Sequence, residues 1–169
     1  MIKAAIIMGS ASDKEIALEA VETLGSYGVE TLTRVLSAHR TPMEAQAFAQ
    51  SFEAEGVGVV IAFAGMAAHL AGVIAAQTVL PVIGVPLCSG NLGGMDALLS
   101  TIQMPPGIPV ATVAVNGARN AALLAIEILA LQDAGLREKL LKERRCMRDM
   151  VLQADEALQK EMLDRQGRA

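Results

Sequence analysis

The sequence contains no tryptophan, one tyrosine and three phenylalanines in 169 residues, so aromatic side chains make up only 2% of the chain. A flavin carrier normally places aromatic rings beside the isoalloxazine, and this sequence has few rings to offer. Single-stranded nucleic acid is bound by aromatic and basic side chains together. The net charge is −4 at pH 7, which gives no general basic field. Flavin and nucleic-acid binding are therefore both disfavoured.

Cysteine is also scarce. Cys88 and Cys146 have neither the spacing of a metal site nor that of a disulfide framework. A reducing, cytoplasmic location is expected, with Cys88 as a buried structural thiol rather than a nucleophile. The first ten residues carry one lysine and no cleavage pattern, so they predict a strand rather than a signal peptide.

Charged residues are absent between Glu55 and Asp96, and the apolar run inside this segment is as long as a membrane span. Glycines and His69 interrupt the run, and its beginning is rich in β-branched residues. This pattern favours a buried parallel strand, a glycine turn and a helix. The sequence thus predicts no membrane association.

Hydrophobic residues make up 53% of the chain and charged residues only 19%. With so few charges, part of the surface is expected to be buried between identical subunits, which predicts a homo-oligomer. The length corresponds to a single α/β domain. We expect a core over residues 1–132 and a helical extension over residues 134–165.

Apolar runs with the periods of strands and helices alternate along the chain. Strands are predicted at residues 3–8, 29–36, 57–65, 81–87 and 108–115, and helical segments at residues 14–28, 37–56, 66–78, 93–104, 117–133 and 136–162. Alternation of this kind predicts a three-layer, doubly wound α/β fold with a parallel sheet and a long C-terminal helix. Two segments match the capping-box pattern, Ser12 with Glu15 and Thr41 with Glu44, and Pro42 suits a first helical position.

In this fold, ligands bind beyond the carboxyl ends of the strands. The turn after the first strand offers Gly9, Ser10, Ser12 and Asp13. Such a turn can hold a phosphate or a ribose hydroxyl, or it can be an ordinary helix cap. It matches neither the dinucleotide fingerprint nor the P-loop.

The turn after the second strand, "SAHRTP", places Ser37, His39 and Arg40 at the same edge. Arg40 can make two charge-assisted hydrogen bonds to a phosphate or carboxylate, and His39 can exchange protons near neutral pH. Alternatively, His39 packs at a helix start and Arg40 is solvated. His69, the second histidine, is either a core residue or a site residue after the third strand. Both histidines follow strands at one edge of the predicted sheet, which adds support for an active-site role of each while the structural alternatives stay open.

Two more junctions bear on function. The segment "PLCSGNLGGMD" after the fourth strand is rich in glycine and can close over a ligand as a flap. The third strand ends in "AFAG", which lacks the aspartate that a phosphate-receiver domain needs at this point. A non-enzymatic binding module of this fold is therefore the weaker hypothesis.

Several linked motifs resemble, in order and spacing, the 5-(carboxyamino)imidazole ribonucleotide mutase family of purine biosynthesis. They are "MGSASD", "SAHRTP", "AGMAAHLAG", "GVPLCSGNLGGMDALLSTIQMPPGIPVATVAV" and "NAALLA", within residues 4–130. "AAHL" resembles the bacterial-type mutase branch rather than the direct aminoimidazole ribonucleotide carboxylase, which remains the alternative. The resemblance implies a flavodoxin-like fold, a homo-octamer with sites shared between subunits, and a reaction without metal, ATP or organic cofactor.

The family's reaction moves a carboxylate from the exocyclic amine of the substrate to carbon 4 of the imidazole, by way of carbon dioxide. The resemblance implies that His39 is the catalytic proton shuttle. It further implies substrate-binding roles at the ribose for Ser10 and Asp13, at the phosphate for Ser12, Ser37 and Arg40, and around the carboxylate for Gly65, Ala67, Ala68, His69 and Leu70. Lys14, Ala71 and Ala97 depart from the usual family pattern.

Overall fold

The computed structural model describes residues 2–166, which divide after Leu129 into two compact units. The strands are β1 (Lys3–Met8), β2 (Thr31–Val35), β3 (Val57–Gly65), β4 (Val82–Leu87) and β5 (Ala111–Thr112). The helices are α1 (Lys14–Tyr27), α2 (Pro42–Gln50), α3 (Phe52–Glu55), α4 (Leu70–Ala75), α5 (Met95–Ile102), α6 (Ala118–Leu129) and α7 (Ala134–Gln166), and a 3-10 turn covers Ala11–Asp13.

The strands form one parallel sheet in the order β2-β1-β3-β4-β5. The chain runs outward from β1 to β2 and then crosses back to β3, so the direction of winding switches between β1 and β3. Met8 at the end of β1 pairs with Val35 of β2 and Phe63 of β3. Since these strands end at nearly the same level, the turns that follow them meet at one edge.

The apolar composition of the strands explains the layers. β1 and β3 are buried along most of their length, as central parallel strands covered on both faces must be. Helices α1 and α6 pack together over one face, and α2, α4 and α5 cover the other. At Gly84 in β4, an added Cβ would lie 2.4 Å from Thr101 of α5 and 3.3 Å from Ala71 of α4. Glycine here allows both helices to approach the sheet. The predicted doubly wound parallel sheet is confirmed.

Three elements differ from the sequence prediction. The fifth strand forms ladder pairs only at Ala111–Thr112. On its N-terminal side Pro109 has no N–H to donate to a longer ladder. The helix predicted over residues 66–78 is limited to Leu70–Ala75. It starts late because Met66 adopts a left-handed φ of 55° and the residues after it form tight turns. The segment 37–56 divides at Ser51 into α2 and α3.

Both predicted capping boxes are wrong. The first is built two residues earlier, by Ser10 and Asp13 rather than by Ser12 and Glu15, since a 3-10 turn precedes α1. At the second, Thr41 does occupy the N-cap position but its hydroxyl makes no cap bond to α2.

Thr41 Oγ1 instead lies 3.2 Å from the carbonyl oxygen of Ser37 and accepts a hydrogen bond from the N–H of Ser37 at 2.8 Å. The Thr41 hydroxyl therefore stabilises the turn that starts at Ser37 and is not available to cap α2. The prediction that Pro42 is the first residue of this helix is confirmed.

The second unit consists mainly of α7, a helix of 33 residues that is about 50 Å long at 1.5 Å per residue. The carboxylate of Asp133 accepts a hydrogen bond from the N–H of Leu136 at 3.0 Å and so caps the start of the helix. Met147, Met150 and Leu158 are exposed along it. Among the described residues, no helix combines the length and the apolar character needed to cross a bilayer.

Candidate active site

The turn after β1 is held by reciprocal hydrogen bonds. The N–H of Ser10 donates to the carboxylate of Asp13 at 3.1 Å, and Ser10 Oγ accepts from the N–H of Ser12 at 3.4 Å. The hydroxyl of Ser12 lies 2.9 Å from Ser10 Oγ and 3.0 Å from Asp13 Oδ1. Gly9 donates its N–H to the carbonyl oxygen of Phe63 in β3 at 3.1 Å. These bonds hold the serine hydroxyls at the start of α1 in a defined place.

The turn after β2 is organised around Ser37. Its hydroxyl oxygen accepts hydrogen bonds from the N–H groups of His39 at 3.3 Å and Arg40 at 3.2 Å. The guanidinium of Arg40 reaches across the sheet edge, where Nη2 donates to the carbonyl oxygen of Gly9 at 3.0 Å. The turn therefore presents an imidazole and a guanidinium from a backbone fixed by one serine.

The turn after β3 is tight and close to β4. A Cβ added to Gly65 would lie 2.0 Å from Ser89 Oγ and 3.0 Å from Ser89 Cβ, so a side chain at this position requires Ser89 to move. After Met66, the N–H groups of Ala68 and His69 donate to carbonyl oxygens only two residues earlier, at 2.9 and 2.8 Å. The loop folds back on itself and delivers His69 to the position just before α4.

These turns enclose one cavity of about 500 Å³ in the first unit. All but two of the site residues predicted from the sequence line it, namely Ser10, Ser12, Asp13, Ser37, His39, Arg40, Gly65, Ala67 and Leu70. Arg40 and Asp13 supply its charged groups, one of each sign. An apolar part of the wall comes from β3 and the loop after it, including Ala64 and Met66, and Ser89 lines the cavity from the segment after β4.

The two histidines of the chain contact each other at this cavity. His39 Nε2 lies 3.0 Å from His69 Nδ1, and the ring planes are inclined by 78°. Both side chains are exposed. The sequence predicted that both would lie at one edge of the sheet, and the structure brings them within hydrogen-bonding distance.

The arrangement has two chemically different parts. Serine hydroxyls, a guanidinium and the N–H groups of helix starts suit a phosphate, which accepts many hydrogen bonds and carries negative charge. The histidine pair beside alanine and glycine walls suits proton transfer next to a small, weakly polar group. A substrate that joins a phosphate to a reactive ring could span both parts.

Comparison with known proteins identifies the fold family that builds this cavity. Residues 3–150 match the family model described as AIR carboxylase. The chain belongs to the AIR carboxylase family. The match includes all of the turns that line the cavity.

Curated members of the family share about half of their residues with this chain. The N5-carboxyaminoimidazole ribonucleotide mutase of Saccharolobus solfataricus is 53% identical over 90% of this chain and 96% of its own length. The mutase of Methanocaldococcus jannaschii is 52% identical over 93% of this chain and 97% of its own length. The crystal structure of Treponema denticola PurE aligns with a TM-score of 0.83 at 27% identity, covering 94% of this chain and 99% of that one. The expected flavodoxin-like fold is confirmed.

The remaining two predicted residues, Ala68 and His69, lie next to this cavity but do not line it. Ala68 is buried, with 1% of its surface exposed. The ring of His69 contacts that of His39.

Met66 and Ser89 line the cavity but were not predicted as site residues. Ser89 follows β4, in the glycine-rich segment that the sequence indicated as a possible flap. Its Oγ is buried and, among the described residues, has no hydrogen-bond partner. Met66 had no signal in the sequence, since a methionine among alanines resembles core packing.

Proposed function

We propose that this chain is a 5-(carboxyamino)imidazole ribonucleotide mutase, an isomerase that forms 4-carboxy-5-aminoimidazole ribonucleotide in purine biosynthesis. The observation that carries the proposal is the position of His39 and Arg40 on the wall of one cavity. A proton carrier and an anion-binding group thus face the same space. Family membership and the curated mutases of similar sequence support the same activity.

The phosphate of the substrate binds to Arg40 together with the hydroxyls of Ser12 and Ser37. A guanidinium offers five N–H donors. Arg40 uses one on the carbonyl oxygen of Gly9 and one, from Nε at 3.5 Å, on Ser37 Oγ, so others remain for the ligand. The ribose binds at Ser10 and Asp13. Because a carboxylate accepts hydrogen bonds from hydroxyls, Asp13 suits the sugar better than the phosphate.

The carboxylate end binds at the loop after β3, where Gly65, Ala67 and Leu70 line the cavity and Ala68 and His69 complete the loop. As the bond between the exocyclic nitrogen and the carboxyl carbon breaks, His39 gives a proton to that nitrogen and carbon dioxide is released. Carbon 4 of the ring then attacks the carbon dioxide, and His39 removes the carbon-4 proton. Protons and atoms balance over the two steps, which makes the net reaction an isomerisation.

Two physical effects drive this reaction. General acid–base catalysis by one histidine contributes about 10²–10⁴-fold. Small apolar walls hold the carbon dioxide beside the ring and exclude water. The two reactants therefore do not have to meet by diffusion, and the step becomes effectively intramolecular. Gly65 contributes to this confinement because its lack of a side chain lets Ser89 close the wall from β4.

The proposed enzyme acts in the cytoplasm as a homo-octamer with shared sites. Exposed apolar residues support self-association: on α5, Met95, Leu99 and Ile102 are 56, 53 and 52% exposed. Their spacing puts them on one side of the helix. Subunits packed around the cavity would also screen His39 and Arg40, which are exposed in the single chain, from bulk water. Light scattering of the purified protein measures the subunit number directly.

A two-substrate assay without ATP tests the proposed function. One reaction contains 5-(carboxyamino)imidazole ribonucleotide, and the other contains aminoimidazole ribonucleotide with bicarbonate and dissolved carbon dioxide. Formation of 4-carboxy-5-aminoimidazole ribonucleotide is followed in both by its absorbance. We expect efficient turnover of the first substrate. Turnover from aminoimidazole ribonucleotide and carbon dioxide alone would identify a direct carboxylase instead, and no turnover of either would refute an enzymatic role in this step.

A further inference from the structure

The contact between His39 and His69 has the geometry of a hydrogen bond. Nε2 of His39 and Nδ1 of His69 are 3.0 Å apart, and the rings meet edge to face with centroids 5.1 Å apart. A neutral imidazole has one N–H and one bare nitrogen, so one ring must donate to the other. Among the described residues, this is the only side-chain hydrogen bond that the ring of His39 makes.

Both rings are carried by fixed backbone. His39 lies in the turn whose N–H groups bind Ser37 Oγ. His69 precedes α4, where its carbonyl oxygen accepts a hydrogen bond from the N–H of Val73 at 2.9 Å, while its own N–H is bound to Ala67. The distance between the rings is therefore set by two separate turns of the sheet edge.

We propose that His69 is a positioning residue for His39, with Nδ1 of His69 accepting the Nε2 proton of His39. The nitrogen that remains for the substrate is then Nδ1 of His39. This inference rests on the proposed function, and it assigns to the His69 side chain a task that needs no contact with the substrate. A base oriented by a third group is a general feature of histidine catalysis.

The proton inventory follows from this assignment. Before the first step His39 carries protons on both nitrogens, and the Nε2 proton is held by His69. His39 gives its Nδ1 proton to the exocyclic nitrogen and becomes neutral, with Nε2 still protonated. In the second step the same Nδ1 takes the carbon-4 proton. Every transferred proton passes through one atom, and His69 keeps its own proton on Nε2 throughout.

A neutral acceptor suits this site better than the carboxylate that orients the histidine in many hydrolases. The migrating group is itself a carboxylate, and a second negative charge close to it would disfavour its binding. An imidazole can orient His39 without adding charge. Arg40 beside His39 and Asp13 across the cavity are the charged side chains on its wall.

Two substitutions at position 69 distinguish the effect of the hydrogen bond on kcat from the effect of having a side chain of similar size there. His69→Leu fills space but accepts nothing, whereas His69→Asn places an amide oxygen near the position of Nδ1. We expect His69→Leu to lower kcat by about 10- to 100-fold, by analogy with the loss seen when the hydrogen-bond partner that orients a metal-bound histidine is removed. KM should change much less, since the substrate contacts remain. His69→Asn should restore most of the lost kcat.

Gln77→Leu provides a matched control, because it introduces the same apolar side chain at an exposed position just beyond the end of α4. Its kcat should equal that of the wild type. Thermal unfolding of each variant shows whether the fold is retained. The proposal would be overturned if His69→Leu kept the kcat of the wild type. It would also be overturned if both variants kept their fold and lost kcat by the same factor.

An independent measurement reads the tautomer directly. The chain has only two histidines, so imidazole ¹⁵N–¹H correlation spectra of histidine-labelled protein contain two ring systems. We expect His39 to be protonated at Nε2 in the wild type and in His69→Asn, and to become a mixture of tautomers in His69→Leu. A wild-type His39 protonated at Nδ1 and bare at Nε2 would refute the proposed direction of the bond.

The spectra do not depend on which reaction the enzyme catalyses. If the wild type carboxylates aminoimidazole ribonucleotide directly, the proposed mutase function fails, and the same variants are compared in that reaction. A higher kcat in His69→Asn than in His69→Leu then supports the positioning role of His69, and equal kcat values contradict it.

Discussion

Arg40 Nη2 donates a hydrogen bond to the carbonyl oxygen of Gly9 at 3.0 Å, so a side chain from the turn after β2 is tied to the turn after β1. The two residues are 31 positions apart in the sequence. This bond holds the guanidinium over the space between the turns, next to the helix start that carries Ser10 and Ser12. The orientation is fixed before any ligand binds, which reduces the conformational entropy lost on binding.

Arg40→Ala should chiefly weaken substrate binding, because it removes the proposed charge-assisted bonds to the phosphate. A hydrogen bond to a charged group contributes about 1.5–3 kcal/mol, so KM should rise by roughly 10- to 100-fold. Steady-state kinetics on the mutase substrate measure the change. Arg34→Ala is the matched control, since Arg34 lies on β2 over the ring of Phe48 and outside the cavity wall. An unchanged KM in Arg40→Ala would rule out the phosphate contact.

His39→Gln should lower kcat by about 10²–10⁴-fold, the contribution of general acid–base catalysis. Glutamine keeps hydrogen-bonding capacity but cannot exchange a proton near neutral pH. The side chain is exposed, so the melting temperature should stay close to that of the wild type. Single-turnover kinetics and circular dichroism check the two expectations. A variant that turns over at near-normal rate would show that another group moves the proton.

Gly65→Ala should disturb the carboxylate loop, because the new Cβ would lie 2.0 Å from Ser89 Oγ. We expect a loss of kcat and a lower melting temperature. Ser89→Gly in the same chain removes the clash and should recover part of both. The losses of kcat and melting temperature in Gly65→Ala should be larger than those caused by alanine at a glycine that has free space around it.

Gly25→Ala is the matched control for Gly65→Ala. Gly25 lies in α1 with nothing within 4 Å of an added Cβ. Alanine there should raise the free energy of unfolding by about 0.4–1 kcal/mol, since it reduces the freedom of the unfolded chain. If Gly65→Ala is as well tolerated as Gly25→Ala, the close approach between Gly65 and Ser89 is not needed for activity.

Ser10→Ala should lower the free energy of unfolding by about 0.5–2 kcal/mol, the usual cost of losing an N-cap side chain. The same change should raise KM, since Ser10 is proposed to bind the ribose. Denaturant unfolding and steady-state kinetics measure the two effects. Ser26→Ala is the control: its hydroxyl donates to the carbonyl oxygen of Thr23 at 2.7 Å on the exposed part of α1, far from the cap. A Ser10→Ala variant with unchanged stability would argue against the cap.

Alternation of apolar strands with amphipathic helices was enough to predict the parallel sheet, and it placed His39 and Arg40 at the end of a strand. The capping boxes were less predictable. The pattern of a serine or threonine followed three residues later by an acid occurs at Ser10 as well as at Ser12. Because a 3-10 turn precedes α1, the earlier pair, Ser10 and Asp13, is the one that forms the capping box.

The sequence by itself determined the fold class and the polar turns after β1 and β2, because hydrophobic periodicity and turn residues are local properties of the chain. Gly65, Ala67 and Leu70 of the cavity wall were predicted only through the resemblance to a known family. Only the tertiary structure decided that His69 contacts His39 and that Gly65 leaves room for Ser89. These relationships join residues on different turns, and they depend on strand register and on loop conformations such as the left-handed Met66. Ångström-scale distances of this kind arise from packing, which no local pattern encodes.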